Sequence, residues 1–96
     1  MASLLSNTRK VVSNVVAVDD DPIVNLLSTG TRRQRAWLYN DGPNEVYLGG
    51  DGVTDTDGIP FATADGRLVI EGHVGGLYAV CSTGESASVR VLEFVE

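Results

Sequence analysis

Trp37-Leu-Tyr-Asn-Asp-Gly-Pro-Asn-Glu-Val-Tyr-Leu-Gly-Gly50 decides how the rest of this chain is read. Two short runs of β-favouring residues flank a Gly/Pro/Asn segment. In the first, Ala36 and Leu38 fall on one parity and Trp37 and Tyr39 on the other. In the second, Val46 and Leu48 alternate with Tyr47. Asn40 to Asn44 combines residues that tolerate positive φ with a proline that presets its own. The stretch therefore predicts a β-hairpin. If its strands pair, Trp37, Tyr39 and Tyr47 gather on one face, as a packed core face or as a subunit interface.

Outward from this stretch the same grammar repeats. Val11–Val18 is β-branched and interrupted only by Ser13-Asn14, so it reads as one bent strand or two short ones. Asp19-Asp-Asp-Pro22 ends it. Ile23–Leu27, Arg67–Glu71 and Leu77–Cys81 are further strands, and Ile59-Pro-Phe61 is an edge piece because its proline cannot serve a central ladder. In the last run, Ala87, Val89, Val91 and Val95 share one parity, Glu93 breaks it, and Leu92 and Phe94 occupy the other. A bulge or a change of buried face near Val91-Leu92 would account for this. With turn signals about every 8–12 residues and no amphipathic helix, the chain reads as all-β: a small antiparallel β-sandwich, jelly-roll or Greek-key-like, or a small barrel.

The chain has 96 residues, enough for a single domain. Residues 1–10 read as a flexible N-terminal arm, polar apart from Leu4 and Leu5, and 11–96 as the sandwich domain. Seven basic against 13 acidic residues give a net charge of −6, which argues against general nucleic-acid binding. The opening residues do not resemble a signal peptide, and no run approaches the about 18 apolar residues of a membrane span. A soluble chain made in the cytoplasm, without a membrane partner, is expected.

Local chemistry is sparse. Arg9-Lys10 and the Arg32, Arg33, Arg35 cluster are the only concentrations of positive charge, with Arg33 and Arg35 expected on one strand face. They serve as a solvated edge or as a patch for an acidic partner surface. Asp51, Asp55 and Asp57 lie in a Gly-rich loop whose spacing partly matches a calcium loop, but the closing glutamate is missing and Asx-turns account for the same composition. Asp19–Asp21 cannot all point at one ion from an extended chain and read as a solvated turn. His73 is a lone histidine in a loop. Cys81 is a lone cysteine in an apolar strand, suited to a buried thiol. No nucleophile–base or paired-carboxylate arrangement is evident, so neither enzyme activity nor a cofactor is expected.

The residues also resemble a family. The Trp37–Thr54 wording, with its Asn-x-Gly turn, Val-Tyr-Leu-Gly strand and Gly-Val-Thr loop, is followed by Gly58-Ile-Pro-Phe61, Leu77-Tyr-Ala-Val-Cys81 and Val89-Arg-Val-Leu-Glu93. This succession, spanning about residues 35–95, resembles small virion proteins of tailed bacteriophages. The resemblance implies a capsid decoration, or cement, protein on the outer head surface of the virion. It also implies a trimer, with the major capsid protein of the same phage as partner. Leu4, Leu5, Arg9 and Lys10 would then form a capsid-binding arm, and Arg32, Arg33 and Arg35 would orient docking. The alternative within this resemblance is a carbohydrate- or receptor-binding module of a tail or head fibre.

Overall fold

The computed structural model describes residues 10–27, 33–72 and 75–95. Leu4, Leu5, Arg9, Arg32 and His73 lie outside these residues. Among the described residues eight strands occur in order: β1 (Lys10–Val18), β2 (Val24–Leu27), β3 (Arg33–Pro43), β4 (Val46–Gly49), β5 (Ile59–Phe61), β6 (Arg67–Glu71), β7 (Leu77–Val80) and β8 (Ala87–Val95). A 3-10 turn, Thr63–Asp65, precedes β6. None of the described helices is long and apolar enough to cross a membrane.

The strands form two antiparallel four-stranded sheets, β1-β8-β3-β6 and β2-β7-β4-β5. The partners 1·8, 2·7, 3·6 and 4·5 are those of one long hairpin. That hairpin is rolled so that β8 also meets β3 and β7 also meets β4. This is the jelly-roll order. The all-β sandwich expected from alternation and turn spacing is the observed architecture, and β5, with Pro60, is an edge strand.

Alternation builds the core. Val18, Ala36, Leu38, Ala87, Val89 and Val91 of the first sheet meet Leu26, Leu27, Val46, Leu48, Phe61 and Ala79 of the second, all buried. Cys81 joins them. Its thiol donates to the Val18 carbonyl at 3.5 Å, and burial, followed by the charges of Glu85, Asp19 and Asp20, pushes it up to about 11.

Four expectations are corrected. First, Trp37–Gly50 is not a hairpin, because β3 belongs to one sheet and β4 to the other. The side chain of Asn40, fully buried, explains the crossing. Its Oδ1 accepts the Gly42 N–H at 2.8 Å, and its Nδ2 donates to the carbonyls of Asn44 at 2.9 Å and Phe61 at 2.8 Å. The amide ties the end of β3 to β5 in the opposite sheet, and Gly42, at φ +84°, takes a conformation that L side chains rarely adopt. Second, of the bulge and the change of buried face expected near Val91-Leu92, the bulge is absent, since the register of β8 with β1 runs unbroken from Ala87 to Val95. Third, the irregularities lie in β3, one of them between Arg33 and Arg35, and they split those two arginines between faces. Fourth, Lys10, assigned to the arm, is the first residue of β1.

Candidate functional site

The register of the β1-β8-β3-β6 sheet fixes what its outer face carries. Phe94 lies between Val11 and Arg35, and Arg35 pairs with Glu71. Leu92 lies between Ser13 and Trp37, and Trp37 pairs with Val69. Arg90 lies between Val15 and Tyr39, and Tyr39 pairs with Arg67. Three adjacent rows thus place aliphatic, aromatic and arginine side chains on the side away from the core. Val15 is 62% exposed, Val11 54%, Tyr39 43% and Val69 40%.

Contacts within the face hold its side chains in place. Trp37 and Phe94 meet edge-on with ring centroids 5.2 Å apart. The Arg67 guanidinium lies 4.3 Å from the centroid of the Trp37 ring, a cation–π contact worth about 0.5–1 kcal/mol at an exposed site. Arg90 donates from Nε and Nη2 to Asp41 Oδ2 at 3.2 and 3.1 Å. Arg35 Nε stands 3.1 Å from Glu71 Oε2, close enough for charge attraction but not aligned as a hydrogen bond. A shallow open concavity of about 610 Å³ runs across the face, lined among others by Ser13, Val15, Trp37, Tyr39, Arg67 and Arg90.

Of the interface trio expected from sequence, Trp37 and Tyr39 lie together on this face. Tyr47 does not join them. It sits on β4 in the other sheet, where its hydroxyl donates to Glu45 Oε1 at 3.0 Å. A hydrogen bond with Ser82 lowers the Tyr47 phenol, but the Glu45 carboxylate and partial desolvation together hold it above its ordinary value.

The basic patch is not assembled as expected. Arg33 turns inward, its side chain fully buried, and donates to Glu93 Oε2 at 2.7 Å. Glu93, which breaks the apolar parity of β8, therefore stays on the inner side and is neutralised there. Arg35 alone of the described pair faces outward, and Lys10 lies at the start of β1. A cationic surface built on Arg33 is excluded by its burial.

In the Asp51–Asp57 loop, Asp57 is committed to the backbone. Its Oδ1 accepts the Thr54 N–H at 2.8 Å and the Thr54 hydroxyl at 3.0 Å. These bonds, the backbone one foremost, hold its carboxyl below the usual range. The loop closes by the Gly58 N–H donating to the Thr54 carbonyl at 2.9 Å. Among the described residues no three His, Cys, Asp or Glu side chains come together as a metal site. Asp20 is likewise structural, accepting the Gly84 N–H at 2.9 Å.

Val11, Val15, Arg67, Val69, Arg90, Leu92 and Phe94 belong to the outer face without having been singled out as site residues. The signal was present in β8, where Leu92 and Phe94 are apolar on the parity opposite Val89 and Val91. A strand apolar on both parities is covered on both sides or offers one side to a partner.

Comparison with protein-family models, with curated proteins and with solved structures returned no match to this chain.

Proposed function

We propose that the chain is a structural protein of a tailed-phage virion that works by binding and not by turnover, as a decoration protein on the outer surface of the head. The observation that supports this reading is the outer face of the β1-β8-β3-β6 sheet. Trp37, Tyr39, Leu92 and Phe94, with Val11, Val15 and Val69, share this face with the cations Arg35, Arg67 and Arg90, all of them arginines. Aromatic residues and arginine are the residue types enriched in protein interfaces. Arg67 and Arg90 are held by Trp37 and Asp41 before any partner arrives, so less side-chain entropy is lost on docking. The sequence resemblance to small phage virion proteins supplies the partner, the major capsid protein. A protein that binds the assembled shell better than free subunits stabilises that shell by mass action.

Co-sedimentation with capsids of the parent phage lacking this protein tests the reading. Saturable binding, with a raised temperature of capsid rupture, is the expected result. Val69→Asp, which places a charge at the exposed end of the central row, should abolish binding while the sandwich remains folded. Absence of binding by the wild-type protein to mature capsids refutes the reading.

The concavity beside Trp37 and Tyr39, with Ser13 and the two arginines on its walls, favours one rival: a glycan-binding module of a tail or head fibre. That rival requires the isolated domain to bind glycans, with binding lost on Tyr39→Ala.

A further inference from the structure

β1 is an edge strand of its sheet, and among the described residues no strand pairs with its free side. The other sheet edges are short: β6 has five residues, β2 four, and β5 three, including Pro60. β1 has nine, with an unbroken register against β8. Between Lys10 and Asp19 it carries no charge, no proline and no glycine. Soluble proteins ordinarily blunt such an edge with a charge, a proline or a bulge, because its free N–H and C=O groups are a template for another strand.

The free groups can be assigned. The Val15 N–H donates to the Oδ1 of Asn14, its own neighbour, at 3.1 Å in an exposed position, so it is turned away from β8. Alternation then turns the N–H and C=O of Val11, Ser13, Val15 and Ala17 to the open side.

We propose that β1 is a homodimerisation edge, at which two copies of this chain pair antiparallel across a two-fold axis near Asn14. Three features select a second copy as the occupant. An antiparallel edge is complementary to itself, and a two-fold contact of this kind closes as a dimer. Centred on Asn14, the pairing sets Val11 opposite Ala17 of the second copy and Ser13 opposite Val15, so all four outward-facing residues of each strand are used. This yields about eight main-chain hydrogen bonds. Finally, the ends of the strand carry opposite charge. Antiparallel pairing brings Lys10 of each copy beside the Asp19–Asp21 turn of the other, twice per dimer. The shortness of the remaining edges stops further addition, so the product is a dimer and not a fibre. The two outer faces then join into one surface across the axis, with the exposed Val11 and Val15 of each copy at its centre.

Sedimentation equilibrium of the full chain over a wide concentration range is the test. The wild type should show twice the chain mass of 10.2 kDa. Val15→Lys alters a side chain that is already exposed and should raise the dimer dissociation constant at least about tenfold, with an unchanged circular dichroism spectrum. Lys10→Glu and Asp19→Lys should each weaken the dimer, and the double variant should restore it, a rescue that loss of folding cannot produce. A monomeric or trimeric wild type overturns the proposal. So does a dimer indifferent to Val15→Lys, or one that the charge exchange fails to rescue. The reading does not depend on the capsid, since the measurement contains none.

Discussion

Asn40 should carry a share of stability out of proportion to its size. Replacing it with alanine removes two donors and one acceptor at a fully buried position. The Phe61 carbonyl and the Gly42 N–H then lose a partner in the interior, and the half-buried Asn44 carbonyl loses one nearer the surface. A buried polar group left unpaired costs about 1–3 kcal/mol. The Asn44 carbonyl can recover water, so about 3–5 kcal/mol is expected in total, against about 5–15 kcal/mol for a whole domain. In thermal unfolding this is a fall of about 12–30 °C at this chain length. Urea unfolding followed by Trp37 fluorescence, at fixed protein concentration, measures it directly. Asn44→Ala is the control, since its Nδ2 donates to Ser86 at an exposed site and should cost under about 1 kcal/mol. Asn40→Asp sharpens the test. It keeps the acceptor for Gly42 but points a carboxylate oxygen at two carbonyls, which raises the carboxyl pKa of the folded state above the about 3.9 of the unfolded chain. The folded state then binds the extra proton, so the variant is most stable below that value and loses stability as pH rises through the folded pKa. A loss below about 1 kcal/mol for Asn40→Ala, or an Asn40→Asp deficit that is flat with pH, refutes the idea that this amide holds the corner.

Glu93→Leu leaves the Arg33 cation inside without its carboxylate and should cost about 3 kcal/mol, whereas Arg33→Met with Glu93→Leu should cost less than that single change; a double-mutant cycle in urea gives both numbers. Cys81, pushed up to about 11, should react with a thiol reagent at pH 8 at least about 100-fold more slowly in the folded chain than in urea. The Asp57 carboxyl should titrate below the ordinary about 3.9 by NMR, and Thr54→Val should raise its midpoint by removing the hydroxyl bond.

The sandwich was legible because period-2 alternation and turn chemistry are local. Each core residue of β8, from Ala87 to Val91, could be placed by parity alone. Strand partners were not legible, because pairing depends on which sheet a strand enters after a corner. Asn40-Asp-Gly-Pro carries the residues of a hairpin tip, and only the contact between Asn40 and the distant Phe61 carbonyl shows that the chain passes to the other sheet. Arg33 and Arg35 failed for a related reason. Parity places them on one face, but a single register shift in β3 sends Arg33 inward to Glu93, and nothing within either short run announces that shift. The same ion pair explains why Glu93 looked like a break in β8: a charge on the inner parity needs a buried partner from another strand, and sequence alone does not name it. Trp37 and Tyr39 were singled out correctly as neighbours because they lie two apart on one strand. Leu92, Phe94 and Val69 join them only through registers that no single segment encodes.

The two surfaces proposed here differ in physical kind and can be separated. The outer face offers side chains, so its binding depends on desolvating aromatic and aliphatic area and is sensitive to a charge placed anywhere near its centre. The β1 edge offers main-chain groups, so its pairing depends on an unobstructed strand and on the charges at its ends. Val69 lies on β6, separated from β1 by β3 and β8. Val69→Asp should therefore leave the solution dimer intact while removing affinity for the shell. Val15→Lys should break the solution dimer, and it should weaken shell binding as well, both through the charge it sets on the outer face and through lost avidity, because two faces held on one rigid sheet raise the effective concentration of the second contact once the first has formed. If both variants lowered both properties equally, edge and face would be parts of one interface, and the outer face would be the covered interior of an oligomer and not the surface that meets the capsid.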